Sequence, residues 1–389
     1  RCTRPRHSEE MKRQLHLNLF IQSRGHHEAS WRHPDSSALA LTDIEYFRDL
    51  ARRAEAGLFD SIFLADTLAL MDTVAHAAST WLEPITTLGA IAGSTSHIGL
   101  IATASTTYSE PFNLARQFAS LDHITGGRVG WNIVTSWLAA AARNYGGESL
   151  VSHDERYERG EEFVQVAKAL WDSWADDAVL DDRQSGQYAR ADRIRPIDHA
   201  GKYYRVAGPL NMPRGPQGRP VFVQAGSSDT GRRFAARHAE AVFTAQMEKK
   251  TAQDFYTDLK ALAAAEGRRP EHVLILPGLS PVIASTEAEA QRLGERVRQR
   301  RLELEYSFDA FVEELEMGRG YLSELERGLV VPSLTSLYRL ANLLDVTVAD
   351  LVAGDSEREQ LFSIRKSLQR SEVSQLLAAA KKMVRPSSA

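Results

Sequence analysis

Between residues 15 and 284 the chain repeats one pattern, a short apolar run followed by a helical stretch. LHLNLFI at 15–21, SIFLAD at 61–66, IGLIATAS at 98–105, RVGWNIVTS at 128–136, VFVQAG at 221–226, AEAVFTA at 239–245 and ILPGLSPVIA at 275–284 read as seven strands. Each but the last has a complete helix after it. The runs are apolar on both faces, as parallel strands covered by helices should be. Strand–helix units in this number specify an α/β fold, a TIM-type (β/α)8 barrel, with a doubly wound open sheet as the alternative. The eighth unit does not arrive. A barrel without it exposes the edges of its first and seventh strands. The 11–290 segment alone is therefore expected to be poorly soluble unless another chain or the helical region covers the gap.

Helix signals sharpen the boundaries. TDIEYFRDLARRAEAG at 42–57 offers Thr42 as N-cap, Glu45 as its capping-box partner and Gly57 just past its end. NLARQFASLDHITGG at 113–127 also ends in glycine. ERYERGEEFVQVAKALWDSW puts apolar residues at 163, 166, 167, 170, 171 and 174 on one helical face. Residues 175–219, rich in Asp, Arg, Gly and Pro, break the rhythm and read as an inserted lobe with a weak strand near KYYRVAG. Beyond 291 the pattern is helical only. The expected organisation is a leader over 1–10, a barrel over 11–290, a helical domain over 291–354 and a basic helical tail over 355–389. Met11 reads as the natural start, because the chain opens on Arg1.

Composition excludes more than it identifies. With 389 residues, 43% of them hydrophobic, and a net charge of −4, the chain is neither disordered, collagen-like nor a disulfide scaffold. Cys2 is the single cysteine, so no intrachain disulfide forms, and this fits a reducing compartment. No run of about 18 apolar residues exists to span a membrane, and the first residues lack the apolar stretch of a signal peptide. A cytoplasmic protein is expected.

In a parallel barrel, ligands meet the C-terminal ends of the strands. Asp66 closes the second strand, Thr103 and Ser105 the third, and Asn132, Thr135 and Ser136 the fourth. Ser227, Ser228 and Asp229 follow VFVQAG and open a helix, a natural phosphate seat as well as an ordinary N-cap. His153 and Tyr157 of HDERY lie four apart, on one helical face. No metal-ligand spacing, nucleophile elbow or dinucleotide fingerprint is present.

Taken in order, SRGHHEASWRHPD, FDSIFLAD, LEPITTLGAIAGSTSHIGLIATASTTYSEPFNLARQFASLDHITGGRVGWNIVTSW, HDERYERGEEF and GPLNMPRGPQGRPVFVQAGSSDTGRRFAARHAEAVFT resemble one family over roughly residues 12–290. It is the bacterial-luciferase-like flavin monooxygenases, in the group of the nitrilotriacetate and dibenzothiophene-sulfone monooxygenase large components. The resemblance implies a barrel that uses FMNH2, supplied by a separate NAD(P)H:FMN oxidoreductase, with O2, to oxygenate a small heteroatom-containing organic substrate. It implies a homo-oligomer. It places Asp66 and Thr103 along the flavin ring, and His153, Tyr157, Ser227 and Ser228 on its phosphate. Asn132 and Trp137 become wall residues for flavin or substrate. His27 and His33 become residues facing the substrate from the loop after the first strand. It names no acid–base residue. Two departures stand out: a short loop between FLAD and LEPIT, and no eighth strand.

Residues about 291–354 resemble a Cro/repressor-type helix-turn-helix domain, through LGERVRQRRLELEYS, SFDAFVEELE, MGRGYLSELERG and PSLTSLYRLANLLDVTVADL. The resemblance puts Arg319, Tyr321 and Ser323 toward DNA. Charge opposes it, since residues 291–355 hold eight arginines against twelve acids, and phosphate contacts need cations. The tail after 355, with seven basic residues against three glutamates, offsets this. Two functions follow as expectations: a flavin monooxygenase with an appended helical module, or a DNA-binding regulator carrying a barrel remnant. An inactive fusion joined near 285–295 is the third.

Overall fold

The structure, a computed structural model, describes residues 15–25, 30–32, 36–75, 78, 82–246, 248–279, 292–315, 317–328, 330, 332, 334–346 and 351. The chain divides into two compact units, 1–26 with 37–280 and 27–36 with 281–389.

In the first unit, strands β1 (Asn18–Ile21), β2 (Ser61–Leu64), β3 (Gly99–Ser105) and β4 (Val129–Val134) come first. Two short hairpins follow, β5 (Val179–Asp182) with β6 (Gln187–Ala189) and β7 (His199–Ala200) with β8 (Arg205–Val206). Strands β9 (Val221–Gln224), β10 (Ala241–Thr244) and β11 (Leu274–Pro277) complete the unit. The seven longer-range strands form one parallel sheet in the order β1-β2-β3-β4-β9-β10-β11. Among the described residues nothing pairs with the outer edge of β1 or β11.

Alternating side chains show that this sheet curls into a nearly closed barrel. Ile101, Val223 and Ala241 form one buried cluster with Phe63 and Leu276, so five strands point residues into a common interior. Phe20 of β1 and Phe243 of β10 meet there, their rings 6.2 Å apart. Strands five places apart in the order touch only if the sheet closes on itself.

The other side chains of the same strands face outward, under the helices α1 (Ile44–Ala56), α2 (Pro84–Ala92), α3 (Pro111–Thr125), α4 (Ala139–Asn144), α5 (His153–Trp171), α6 (Asp229–His238) and α7 (Lys249–Ala265). Trp131 centres the outer core. Its ring lies 5.6–5.8 Å from Phe118, Phe163 and Phe222 and 6.2 Å from Trp171. Its indole N–H donates to the Ala104 carbonyl at 3.1 Å. The apolar face read from the sequence is the one α5 buries, with Trp174 lying beyond the helix end.

Two local expectations are corrected. The cap of α1 is Asp43, whose carboxylate accepts from the Glu45 N–H at 3.0 Å. The Thr42–Glu45 capping box does not form, because the aspartate one residue later holds the free N–H instead. The inserted lobe carries two hairpins rather than one weak strand, tied to α5 by Glu162, which accepts from the Tyr203 and Tyr204 N–H groups and pairs with His199.

The second unit is helical: α8 (Arg292–Glu303), α9 (Phe308–Leu315), α10 (Arg319–Glu326) and α11 (Leu334–Leu343). Val297, Phe311, Leu315, Leu322, Leu325, Leu337, Leu340 and Leu344 form its own core. Gly294 lets α8 approach α10 closely, since a Cβ there would overlap the Leu325 carbonyl. Arg301 and Glu326 form a buried pair between the same two helices.

Candidate functional site

The C-terminal rim of the barrel gathers the polar residues that the sequence singled out. Thr103 and Asn132 face each other in the β3–β4 register, and both are 3% exposed. The Asn132 Nδ2 amide donates to Thr103 Oγ1 at 2.9 Å, while Asn132 Oδ1 is buried without a partner. Native interiors leave few such atoms unpaired. Ser105 Oγ and Ser136 Oγ lie 2.8 Å apart, and Ser136 takes a positive φ of 58°. That turn carries Trp137 outward, 70% exposed.

Asp66 stands just past β2. Burial, and then the Glu83 carboxylate, push its pKa up to about 6. Tyr145 lies close enough to feel this acid. Burial first, then Asp66 and Tyr108, raise the Tyr145 hydroxyl above its ordinary value. Tyr145 stacks on Tyr108 with ring centres 4.4 Å apart. Asn144 pins the loop after β2 by donating to the Leu68 carbonyl at 2.8 Å. Tyr108 and Tyr145 were not among the expected residues. They come from two different loops, and only the fold brings them together.

Further around the rim, two helix starts converge. Ser228 caps α6 by accepting from the Gly231 N–H at 3.1 Å. Its Oγ also lies 3.2 Å from His153 Nε2, in the first turn of α5. The His153 ring is 4.9 Å from that of Tyr157, which packs on Phe234 at 5.6 Å. The Tyr157 hydroxyl sits 2.8 Å from where a Cβ would stand at Gly226 or Gly231. Glycine at these two positions therefore lets the phenol, with Gln224 and Ser228, pack directly against the backbone where α6 begins. Ser227 is exposed, and its carbonyl accepts from Arg232 at 2.9 Å.

Of the expected residues, His153, Tyr157 and Ser228 thus meet directly, with Ser227 adjacent in sequence. Thr103 and Asn132 meet as a second group, and Asp66 belongs to a third. His27 and His33 lie outside the described residues. No group of three potential metal ligands exists among the described residues. No helix there is long and apolar enough to cross a membrane.

The second unit has a surface of its own. A groove of about 610 Å³ is lined by Arg298, Arg301, Phe308, Arg319, Ser323 and Arg327 among others. Arg319 also pairs with Asp309.

Comparison with known proteins fits this geometry. The model for the luciferase-like monooxygenases matches residues 18–339, which takes in part of the helical unit. The chain is 50% identical over 281 residues to the N-acetyl-S-(2-succino)cysteine monooxygenase of Bacillus subtilis (strain 168), covering 72% of this chain and 64% of that protein. It is 45% identical over 297 residues to nitrilotriacetate monooxygenase component A of Aminobacter aminovorans, covering 73% and 66%. The chain thus spans about two thirds of the length of these relatives. A riboflavin lyase solved with modified FMN and its substrate riboflavin superposes with a TM-score of 0.70 at 28% identity, over 86% of each chain. The chain belongs to the luciferase-like monooxygenase family.

Proposed function

We propose that the chain is the oxygenating component of a two-component, FMNH2-dependent monooxygenase acting on a small organic, heteroatom-containing substrate. The observation that carries this reading is the meeting of His153, Tyr157 and Ser228 at the start of α6, where two glycines let the phenol lie against the turn. An imidazole, a phenol and a helix N-terminus suit a phosphate dianion. Thr103, Asn132 and Asp66 line the rim toward which the rest of a flavin extends. The relatives support the cofactor and the partner: one is solved with modified FMN, and another is named as component A. The reductase is an NAD(P)H:FMN oxidoreductase, the co-substrate is O2, and the working form is a cytoplasmic homo-oligomer.

Bound reduced flavin would supply the activation of oxygen. The chain's own residues do the rest. Ser228 and Tyr157 anchor one end of the ligand, with His153 held against Ser228. Asp66, with its pKa near 6, keeps its proton further toward neutrality than an ordinary carboxyl does. The Tyr108–Tyr145 stack walls the rim beside Asp66. Titration of the full chain with FMNH2 under anaerobic conditions tests the reading. Saturable binding, followed by reductase-dependent incorporation of one oxygen atom from O2 into a sulfur- or nitrogen-bearing substrate, is expected. Absence of flavin binding overturns it.

A second reading concerns the helical unit alone. Its four helices and the arginine-lined groove favour a helix-turn-helix module, with Arg319 and Ser323 in the groove and Tyr321 beside them on α10. Arg298 and Arg327, which have no ion-pair partner among the described residues, supply local positive charge that the net charge of this region conceals. A salt-sensitive gel shift with a palindromic duplex is expected. No shift at low salt removes this reading and leaves the first intact.

A further inference from the structure

One buried cation has no role in the site as described. Arg156 lies three residues after His153 and four before Gly160, so it shares their face of α5. Gly160 marks where this face meets the rim, since a Cβ there would lie 3.1 Å from Thr106 Oγ1. Arg156 is 9% exposed. Its Nη1 donates to the Val151 carbonyl, and this is its one side-chain hydrogen bond among the described residues. Nε is buried without a partner. No carboxylate among the described residues pairs with it. Buried charges are ordinarily paired, because an uncompensated one is costly. Nε–H and Nη2–H form one edge of the guanidinium, a planar fork of two donors that matches a phosphate or a carboxylate.

We propose that this free edge of Arg156 is an anion-binding fork, and that the anion is the flavin phosphate seated by His153, Tyr157 and Ser228. The inference rests on the flavin reading and deepens it. The phosphate is favoured over a substrate carboxylate because Arg156 lies one turn along α5 from His153, whose imidazole meets Ser228. The ligand then supplies the counter-charge that the protein lacks.

The test is equilibrium binding of FMNH2 and of reduced riboflavin, which has no phosphate, to the full chain. It compares the native protein with Arg156→Met and Arg156→Lys, and adds thermal melts without ligand. Arg156→Met should weaken FMNH2 binding by about 30-fold, the scale of a hydrogen bond to a charged group, and riboflavin binding by less than about threefold. Arg156→Lys keeps the charge without the fork and should fall between. The unliganded Met variant should melt at the same temperature or higher, because it loses an uncompensated buried charge. Equal losses for both flavins with a lower melting temperature would make Arg156 a packing residue and overturn the proposal. Unchanged FMNH2 affinity also overturns it. If nitrilotriacetate binding alone then falls, the fork belongs to a substrate carboxylate. If the native chain binds neither flavin, the flavin reading fails and this proposal with it.

Discussion

Trp131 and Asn132 are neighbours on β4, equally buried, and opposite in character. Trp131 points outward, is enclosed by four aromatic rings, and has its one polar atom paired. Asn132 points inward and pairs its amide nitrogen while its oxygen goes without a partner. The period of two along a strand sends them to different jobs. The outer layer around Trp131 is packed for stability. The inner rim holds polar atoms at a cost, which is how a binding site departs from the rules of a core.

Substitutions can break that contrast, and the outer layer should give the largest effect. Trp131→Ala should cost about 3–5 kcal/mol, read as a lower denaturation midpoint, because a cavity opens among rings that cannot collapse into it. An outer layer that tolerates the change within about 1 kcal/mol would show that the aromatic cluster is not the core. At the rim, Gly226→Ala drives a methyl into the Gln224 amide and the Tyr157 hydroxyl. It should cost about 1–3 kcal/mol by overpacking and weaken FMN binding by at least about tenfold, because both displaced side chains border the seat. Ser228→Ala bridges the two regimes. It should lose about 1 kcal/mol of stability through the missing cap, and FMN affinity as well. A stability loss without an affinity loss would reduce Ser228 to a cap.

The smallest effect is one of pH. Asp66 binds its proton more tightly in the folded chain, with a pKa of about 6 against an ordinary 3.8. Its contribution to stability is therefore complete below about pH 4 and is lost as the pH rises through about 6. Asp66→Asn should flatten that part of the stability profile. An unchanged slope would mean that the acid is better solvated than its burial implies.

Much of this was legible in the chain itself, and the rest was not for identifiable reasons. The seven strands, the helix after each of the first six, and the motifs around His153, Tyr157 and Ser228 are local signals, and the fold brings them together as expected. The α1 cap went to Asp43 because Thr42 and Asp43 are both good caps and only geometry chooses between them. Of the hairpins over 179–206 only the strand within KYYRVAG is legible, because the strands are two to four residues long and mostly exposed, with no apolar alternation to betray them. The Tyr108–Tyr145 stack joins residues 37 apart in the chain, beyond any spacing rule. Arg156 was visible within HDERY, but its lack of a counter-ion is a property of the packed structure alone.

α5 deserves a last consequence. Its later turns bury Phe163, Leu170 and Trp171 in the outer core, while its N-terminal end carries His153 and Tyr157, which the proposed function sets against the ligand. Anchor and core are one continuous rod of hydrogen-bonded backbone. In the language of hydrogen exchange, amides in the body of this helix should open only with the whole barrel. On the proposed reading, a ligand held at its N-terminus is tethered to an element anchored in the core. Accommodation of different substrates then falls to the loops after β2 and β4, which can diverge without disturbing the anchor.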